Sequence, residues 1–355
     1  MTRFIVGAVT ILAAVGSAAA AGSAASTELD RLRAENRRLG AALAERERQV
    51  RALQRELGEM AAALRRLEAR IAKLQTLVGQ SGAPAAPASG QATRELDIRV
   101  AKDDWGDSTL IDIEKVLRSA AEELWAFFPD RKLKPIVVRR SRSGPIVLYQ
   151  RGPGGEYIVK LDSQNRLWSQ MTYQFAHELC HILTNYCEKT PRQCKWFEES
   201  VCEMASLFAL RRMAKTWRTR PPWPNWRSYA PALQSYADDC LKRTARLPEN
   251  TTLAQWYRSH AKELQSNPNH RDRNKVVAAA LLPLFEKSPE SWEAVGYLNL
   301  GRPEEPKTFE EYLAKWRRDA PAGHRPFVEQ IISLFGVEVP QMPPPGPPAR
   351  SAKDK

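Results

Sequence analysis

The chain has 355 residues, of which 43% are hydrophobic, enough to build one large domain or two modest ones around a buried core. Its formal net charge is +13, but the arginines are spread through predicted helices without an aromatic-interleaved basic cluster, so we expect no specific nucleic-acid binding. A basic surface also suits anionic lipid, a cell-wall polymer or an acidic partner. A basic module that binds a polyanion or the cell wall therefore stays open as an alternative function.

Residues 1–25 predict an export signal. Arg3 supplies a positive start, Phe4 to Val15 form a compact apolar run, and the alanines from Ala18 onward offer small-residue cleavage sites. The apolar run is shorter than a membrane span requires. We therefore expect a periplasmic or secreted bacterial protein, with a membrane tether only if the signal stays uncleaved.

Residues 27–80 predict a coiled coil. Apolar residues alternate at spacings of three and four from Leu29 to Val78, which is the heptad pattern. Asn36 at an a position and mostly leucine at d favour a parallel homodimer through residues 29–78, and Arg46 at d weakens the seam locally. A solitary charged helix is the alternative, but it would leave the apolar stripe in water.

The composition of the remaining chain predicts a linker, a globular domain and a tail. Residues 81–94 predict a flexible linker, since Ser81 to Ala92 are small, uncharged and broken by proline. Residues 95–338 predict an α+β domain, mostly helical, with a small β-sheet. Residues 339–355 predict a disordered proline-rich tail.

Apolar periodicity predicts the elements of the globular domain. The first helix spans Thr109 to Phe128, with Ser108 as its N-cap. The predicted strands are Pro135–Val138, Pro145–Gln150 and Glu156–Leu161, the last two joined by a glycine-rich hairpin loop. The predicted helices after Trp217 are Ser228–Ala245, Leu253–Leu264, Arg271–Glu286, Ser291–Leu298, Thr308–Trp316 and Pro326–Phe335.

The clearest chemical motif is His177-Glu178-x-x-His181, in a predicted helix from Arg166 to Tyr186. Residues four apart share a helix face, so both histidines can bind one metal ion. Zinc accepts such nitrogen ligands and keeps an open position for water in catalytic sites. Glu178 can then take a proton from that water as it attacks a carbonyl. The alternative is a helix whose histidines are ordinary surface or core residues.

A second predicted helix, Trp196 to Trp217, carries the acidic residues that could complete the site. Glu199 and Glu203 lie four apart among apolar residues, so one can bind the metal while the other orients a histidine. Glu198 is the competing third ligand, and we prefer Glu199 because it alone has an acid four residues later.

These two segments resemble the gluzincin zinc metallopeptidases. The similarity covers His177-Glu178-x-x-His181, a spacer of seventeen residues and an aromatic-rich helix entry before Glu199. The resemblance implies one zinc ion per chain, with His177, His181 and Glu199 as ligands. It also implies that Glu178 is the general base and that Glu203 is an acid behind a ligand. No signature for recognising a substrate amino terminus is present, so endo- or exopeptidase action stays open.

The resemblance further implies a substrate-binding strand. In gluzincins an edge strand before the active-site helix pairs with the extended peptide, and Tyr157 to Leu161 occupy that place here. We therefore expect Tyr157, Ile158 and Val159 to line the cleft and pair with a peptide or protein substrate. The alternative is an ordinary hairpin of a small sheet.

The sequence contains five cysteines. In an oxidising compartment at least one disulfide is expected, and a Cys187–Cys194 bond would fix the spacing of the two metal-binding helices. Connectivity does not follow from sequence, and Cys180 and Cys202 could also pair or remain buried thiols.

We therefore expect an exported zinc metallopeptidase with an N-terminal coiled coil. Tyr257, His260, His270 and Tyr297 are open candidates for the donor that stabilises the oxyanion. The alternative from another class is a protease fold without activity that works as an envelope scaffold through its coiled coil.

Overall fold

The chain separates into two compact units, Met1–Ala92 and Thr93–Lys355. The computed structural model describes residues 31–46, 48–49, 96–243 and 246–341. In the first unit, residues 31–46 and 48–49 are helical, as the heptad pattern requires. The rest of the predicted coiled coil, the export signal and the linker lie outside the described residues. No helix within the described ranges is long and apolar enough to cross a membrane.

The second unit is α+β and mostly helical, which confirms the predicted class. Its strands are β1 (Ile98–Val100), β2 (Ile136–Arg140), β3 (Ile146–Val147) and β4 (Tyr157–Leu161). Its helices are α1 (Leu110–Trp125), α2 (Trp168–Leu183), α3 (Arg192–Trp217), α4 (Ala230–Arg243), α5 (Leu253–Ser266), α6 (Arg271–Lys287), α7 (Trp292–Val295), α8 (Phe309–Asp319) and α9 (Arg325–Phe335). Short 3-10 helices lie at Pro224–Tyr229, Pro289–Ser291 and Ala322–His324.

The sheet corrects the prediction that β4 offers a free edge to substrate. The strand order is β1-β2-β4-β3, with β3 antiparallel to β4 and the other pairs parallel. Val159 is paired on both sides, with Val138 of β2 and Val147 of β3. Tyr157 and Ile158 also pair with β2, so β4 is an interior strand, and the edge strand beside it is β3. The hairpin is predictable from local sequence, but the parallel β2–β4 pairing that buries β4 is not.

The N-cap of α1 differs from the predicted one by a single residue. The side chain of Thr109, rather than Ser108, accepts a hydrogen bond from the backbone N–H of Asp112. The Ser108 hydroxyl instead donates to the carbonyl oxygen of Asn165, in the turn that precedes α2. Ser108 therefore ties the start of α1 to the entrance of the helix that carries the histidines.

The long helix α3 lies at the centre of the second unit. It packs against α1, α2, α4, α5, α6 and α8. Its side chains are buried on nearly every face, as expected for a helix surrounded by others. Near its N-terminus, Trp196 and Phe197 pack among the rings of Tyr257, Phe309 and Phe335. This aromatic cluster fixes the helix turn that carries Glu198 and Glu199.

Candidate metal centre

His177 and His181 lie one turn apart on α2, with the side chains 18% and 13% exposed. Their Nε2 atoms both face the carboxylate of Glu199 on α3. His177 Nε2 lies 3.4 Å from Glu199 Oε2, and His181 Nε2 lies 3.8 Å from Glu199 Oε1. Possible ligand atoms of the three residues lie within 4.8 Å of one another. The structure therefore brings together the three predicted ligands as a candidate metal-binding cluster.

The spacing of these atoms fits a tetrahedral ion. Bonds of about 2.0 to 2.1 Å at tetrahedral angles place neighbouring ligand atoms roughly 3.3 Å apart. The two separations to Glu199 are 3.4 Å from His177 to Oε2 and 3.8 Å from His181 to Oε1, so each histidine lies near that distance from a different oxygen of the carboxylate. Two imidazoles and one carboxylate also form a ligand set that zinc accepts in catalytic sites, leaving the fourth position for water.

Each histidine also has a carboxylate on its other ring nitrogen. Glu203 Oε2 lies 3.8 Å from His177 Nδ1, and Glu203 accepts a hydrogen bond from the hydroxyl of Tyr173. Glu198 Oε1 lies 2.7 Å from His181 Nδ1. We predicted Glu203 for such an orienting position but considered Glu198 only as a competing ligand. The orienting position of Glu198 is therefore new from the structure.

Glu198 is held by a buried network. Its Oε1 accepts from the Thr184 hydroxyl at 3.1 Å, and its Oε2 accepts from Asn299 Nδ2 at 2.8 Å. Asn299 Oδ1 in turn accepts from the Tyr312 hydroxyl. His181, Glu198 and Cys202 form a second group with converging ligand atoms. We favour the Glu199 set, since the oxygens of Glu198 already take part in these hydrogen bonds.

Charge and burial oppose each other at the ligands. Burial lowers the pKa of His181, but the hydrogen bond with Glu198 and the charge of Glu199 outweigh it and raise the pKa to about 10. For Glu199, burial raises the pKa, but the hydrogen bond with His177 and the charges of both histidines lower it to about 2. In the metal-free protein the His181 ring is therefore protonated at neutral pH and the Glu199 carboxylate is ionised.

Glu178 lies between α2 and the edge strand. It is buried, and its Oε2 accepts a hydrogen bond of 2.7 Å from the backbone N–H of Val147. Because the Leu148 N–H pairs with β4, the neighbouring Val147 N–H lies on the free side of β3. No donor within the described residues binds Glu178 Oε1. The carboxylate is thus fixed at the free edge of the sheet with one oxygen available.

The structure has all five cysteines as free thiols and does not form the expected Cys187–Cys194 bond. Cys194 is buried, and its Sγ lies 3.6 Å from the carbonyl oxygen of Thr308, so it faces the start of α8. Cys180 and Cys202, on α2 and α3, lie 3.5 Å apart and are fully buried. These two free thiols therefore face each other between the helices of the candidate metal centre.

The four tyrosines and histidines proposed for the oxyanion have partners elsewhere. Tyr257 stacks on Trp196 in the aromatic cluster. His260 stacks on Trp256, and His270 pairs with Glu263. Burial and the charges of Glu293 and Asp130 raise the pKa of Tyr297, and the charge of Arg131 opposes them. Near the ligands the structure instead places Tyr173, whose hydroxyl donates to Glu203, and Tyr186, whose ring centroid lies 6.4 Å from that of His181. Sequence reasoning missed both tyrosines.

Comparison with known proteins finds no matching protein family, no similar curated protein and no similar solved structure. The likeness to gluzincins thus consists of the motif and its spacing.

Proposed function

We propose that the protein is an exported zinc metallopeptidase of the gluzincin type, with one zinc ion per chain held by His177, His181 and Glu199. The observation that carries this proposal is the convergence of two Nε2 atoms on the Glu199 carboxylate at tetrahedral spacing. Zinc bound there would supply a Lewis acid that makes water acidic near neutral pH and polarises a carbonyl.

Glu178 is the general base in this proposal. Its free Oε1 takes a proton from the attacking water and later passes it to the leaving amine, while the Val147 N–H holds Oε2 in place. β3 is an edge strand beside this carboxylate, and an extended peptide can lie along it next to the Val147 N–H that Glu178 binds. Peptide-bond hydrolysis therefore fits the placement of base, metal ligands and edge strand.

The carboxylates behind the histidines support the same function. Glu198 lies within hydrogen-bond distance of His181 Nδ1, and Glu203 lies 3.8 Å from His177 Nδ1, which leaves each Nε2 to bind the metal. Such partners also make the imidazoles more basic and so better ligands. A helix with two incidental histidines needs no such arrangement.

The test compares metal content and peptide cleavage in protein lacking residues 1–25. We expect about one zinc per chain, lost in His181→Ala, and retained in Glu178→Gln with turnover reduced by about 10²–10⁴-fold. A peptide mixture read by mass spectrometry serves as substrate. His324→Ala is the matched control, because His324 pairs with Glu293 of α7 and has no proposed role at the site. It should keep both metal and activity.

Two results would contradict the proposal. Loss of zinc in Glu178→Gln would show that Glu178 is a ligand rather than the base. Absence of zinc from the wild-type protein, after stripping during purification is excluded, would favour the scaffold function that works through the coiled coil.

A further inference from the structure

A cluster of three tyrosines and two cations lies at the end of the edge strand. We call Tyr149, Arg151, Tyr157, Tyr186 and Lys195 the tyrosine–cation cluster. The rings of Tyr149 and Tyr186 stack with centroids 5.4 Å apart. The Arg151 guanidinium carbon lies 3.3 Å from the Tyr157 ring centroid and 5.7 Å from that of Tyr186, and Lys195 Nζ lies 5.6 Å from that of Tyr149. Its members come from distant parts of the sequence, so composition does not reveal it.

The cluster adjoins the candidate metal centre. The Tyr186 ring lies 6.4 Å from His181, centroid to centroid, and its hydroxyl donates to the carbonyl oxygen of Leu148, directly after β3. One residue before Leu148, the Val147 N–H holds Glu178. A peptide lying along the edge of β3 beside the metal would therefore also reach the cluster. The cluster lies on the side of the metal where His181 is.

The two cations have no carboxylate partner among the described residues. Lys195 Nζ is 3.1 Å from the carbonyl oxygen of Glu188 and 3.4 Å from the Tyr149 hydroxyl, both neutral acceptors. Arg151 is exposed, and its guanidinium carbon lies over the Tyr157 ring and nearer to it than to the Tyr186 ring. Stacking orders a guanidinium while leaving its edge N–H donors free, so less entropy is lost when an anion binds.

We propose that the tyrosine–cation cluster is a specificity subsite that binds a carboxylate of the peptide substrate on the His181 side of the scissile bond. This inference rests on the proposed peptidase function. Arg151 donates through its fork to the carboxylate and Lys195 adds a second charge. The exposed ring of Tyr149 packs on the carbon atoms that carry the acid. The carboxylate comes from an acidic side chain or from the carboxyl terminus of the peptide.

The first experiment measures kcat/KM of the full chain, loaded with zinc, on matched peptides. Blocked alanine hexapeptides carry glutamate or glutamine at each position in turn, and one further pair carries a free or an amidated carboxyl terminus. We expect one member to be preferred over its neutral partner by about tenfold or more, as for a charge-assisted hydrogen bond. A preferred glutamate position identifies a side-chain carboxylate, and a preferred free terminus identifies the chain end.

The variants test whether the cluster causes the preference. In Arg151→Gln/Lys195→Gln the ratio should fall to about one. Arg258→Gln/Lys262→Gln makes the same change of charge at exposed positions on α5, and should keep the ratio. A ratio near one in the wild type, or a ratio that survives in the cluster variant, overturns the inference.

A binding measurement separates this inference from the proposed function. The same peptides, fluorescently labelled, are titrated into zinc-loaded Glu178→Gln protein and followed by anisotropy. Tighter binding of an acidic peptide that depends on Arg151 and Lys195, without cleavage of any peptide by the wild type, supports the subsite and contradicts the peptidase proposal. Equal or undetectable binding of acidic and neutral peptides overturns the subsite.

Discussion

Each imidazole ring has a carboxylate near both of its nitrogens, but the distances at Nδ1 differ between the two rings. His181 Nδ1 lies 2.7 Å from Glu198, whereas His177 Nδ1 lies 3.8 Å from Glu203. Glu198 has further partners in Thr184 and Asn299, while Glu203 has Tyr173. A carboxylate that is itself fixed can fix the ring it contacts. We therefore expect the His181 ring to be the more firmly oriented of the two ligands.

Three single substitutions separate the roles of the acids. Glu199→Gln should lose most of the bound zinc, because an amide replaces the ligating carboxylate. Glu198→Gln and Glu203→Gln should retain a site with affinity lowered by about 10–100-fold, as for other partners behind metal ligands. Zinc affinity measured against a chelator of known strength gives the comparison.

Glu304→Gln is the matched control for that series, since Glu304 is exposed. It should leave the affinity at the wild-type value. If Glu198→Gln lost zinc completely while Glu199→Gln kept it, the ligand assignment of the two neighbouring acids would have to be exchanged.

Zinc affinity should rise with pH. The pKa of His181 is raised to about 10, so the metal-free ring carries a proton at neutral pH that zinc must displace. One displaced proton changes the apparent dissociation constant by about tenfold per pH unit. We expect at least that slope between pH 6 and 8, since the pKa of His177 is raised too. A competition titration at several pH values measures it, and a flat profile would contradict a protonated metal-free site.

At the scale of elements, one buried residue of the C-terminal half contacts both helices of the candidate metal centre. Asn299 follows α7 in a left-handed backbone conformation, with φ of 54°. Its Nδ2 donates to Glu198 on α3 and to the carbonyl oxygen of Thr184, at the end of α2. Its Oδ1 accepts from Tyr312 on α8. A single buried amide thus connects α8 to the ends of α2 and α3 that carry His181 and Glu199.

Replacing Asn299 should destabilise the metal-free protein. Asn299→Gly keeps the left-handed backbone but leaves buried groups unpaired, so we expect the free energy of unfolding to fall by about 1–3 kcal/mol. Asn299→Asp should cost more, because its carboxylate faces Glu198. Urea unfolding measures both. Asn250→Gly, at an exposed residue with φ of 60°, is the control and should change little.

We predict that the two cysteines that face each other between α2 and α3 can be oxidised to a disulfide. Cys180 and Cys202 lie 3.5 Å apart, so a disulfide requires only a small movement. Buried thiols react slowly in the folded protein. We therefore expect the bond when the chain refolds with oxidised glutathione, whose disulfide is reduced as the two thiols are oxidised. Alkylation and intact mass should then show two free thiols fewer than in the same protein after reduction, and Cys180→Ser should not show this loss of two.

Cys187→Ser is the control for that measurement and should still form the cross-link. If the protein refolded with oxidant retains all its thiols, or links Cys187 to Cys194 instead, the prediction is wrong. Only the second of these results would support the Cys187–Cys194 disulfide expected from the sequence.

The helices that carry the candidate metal centre are predicted well from local sequence, because helical spacing is a local property. The turn between His177 and His181 places both on one face of α2. The rotation of α3 about its axis, which decides the roles of Glu198 and Glu199, depends instead on the packing of Trp196 and Phe197 against distant helices. The three-residue strand β1 was not predicted, since so short a segment carries little periodicity.

The difference between local spacing and long-range packing also explains why the substrate strand was misplaced and the tyrosines near the histidines were missed. Whether β3 or β4 lies at the edge depends on the parallel pairing of β2 with β4. Tyr149 and Tyr186 meet only because the end of β3 reaches the end of α2. Long-range contacts of this kind leave no regular pattern in the sequence.

At the scale of the whole molecule, the chain divides into two units between Ala92 and Thr93. The units Met1–Ala92 and Thr93–Lys355 are separately compact, and the candidate metal centre lies entirely in the second. In the first, Leu32, Leu39 and Leu43 are 49%, 62% and 63% exposed. Exposed leucines at heptad spacing favour association with another helix. We therefore expect the first unit to set the oligomeric state and the second to hold the metal.

Truncation separates these two properties. A chain of residues 93–355 should be monomeric and bind about one zinc, whereas a chain from residue 26 should have twice its monomer mass in light scattering. Leu39→Glu/Leu43→Glu in the longer chain should abolish the dimer, because two charges then enter the apolar seam. Arg37→Glu, outside the a and d positions, should preserve it. Equal oligomeric states for the long and short chains would contradict the coiled-coil dimer, and loss of zinc on truncation would contradict a self-contained metal-binding unit.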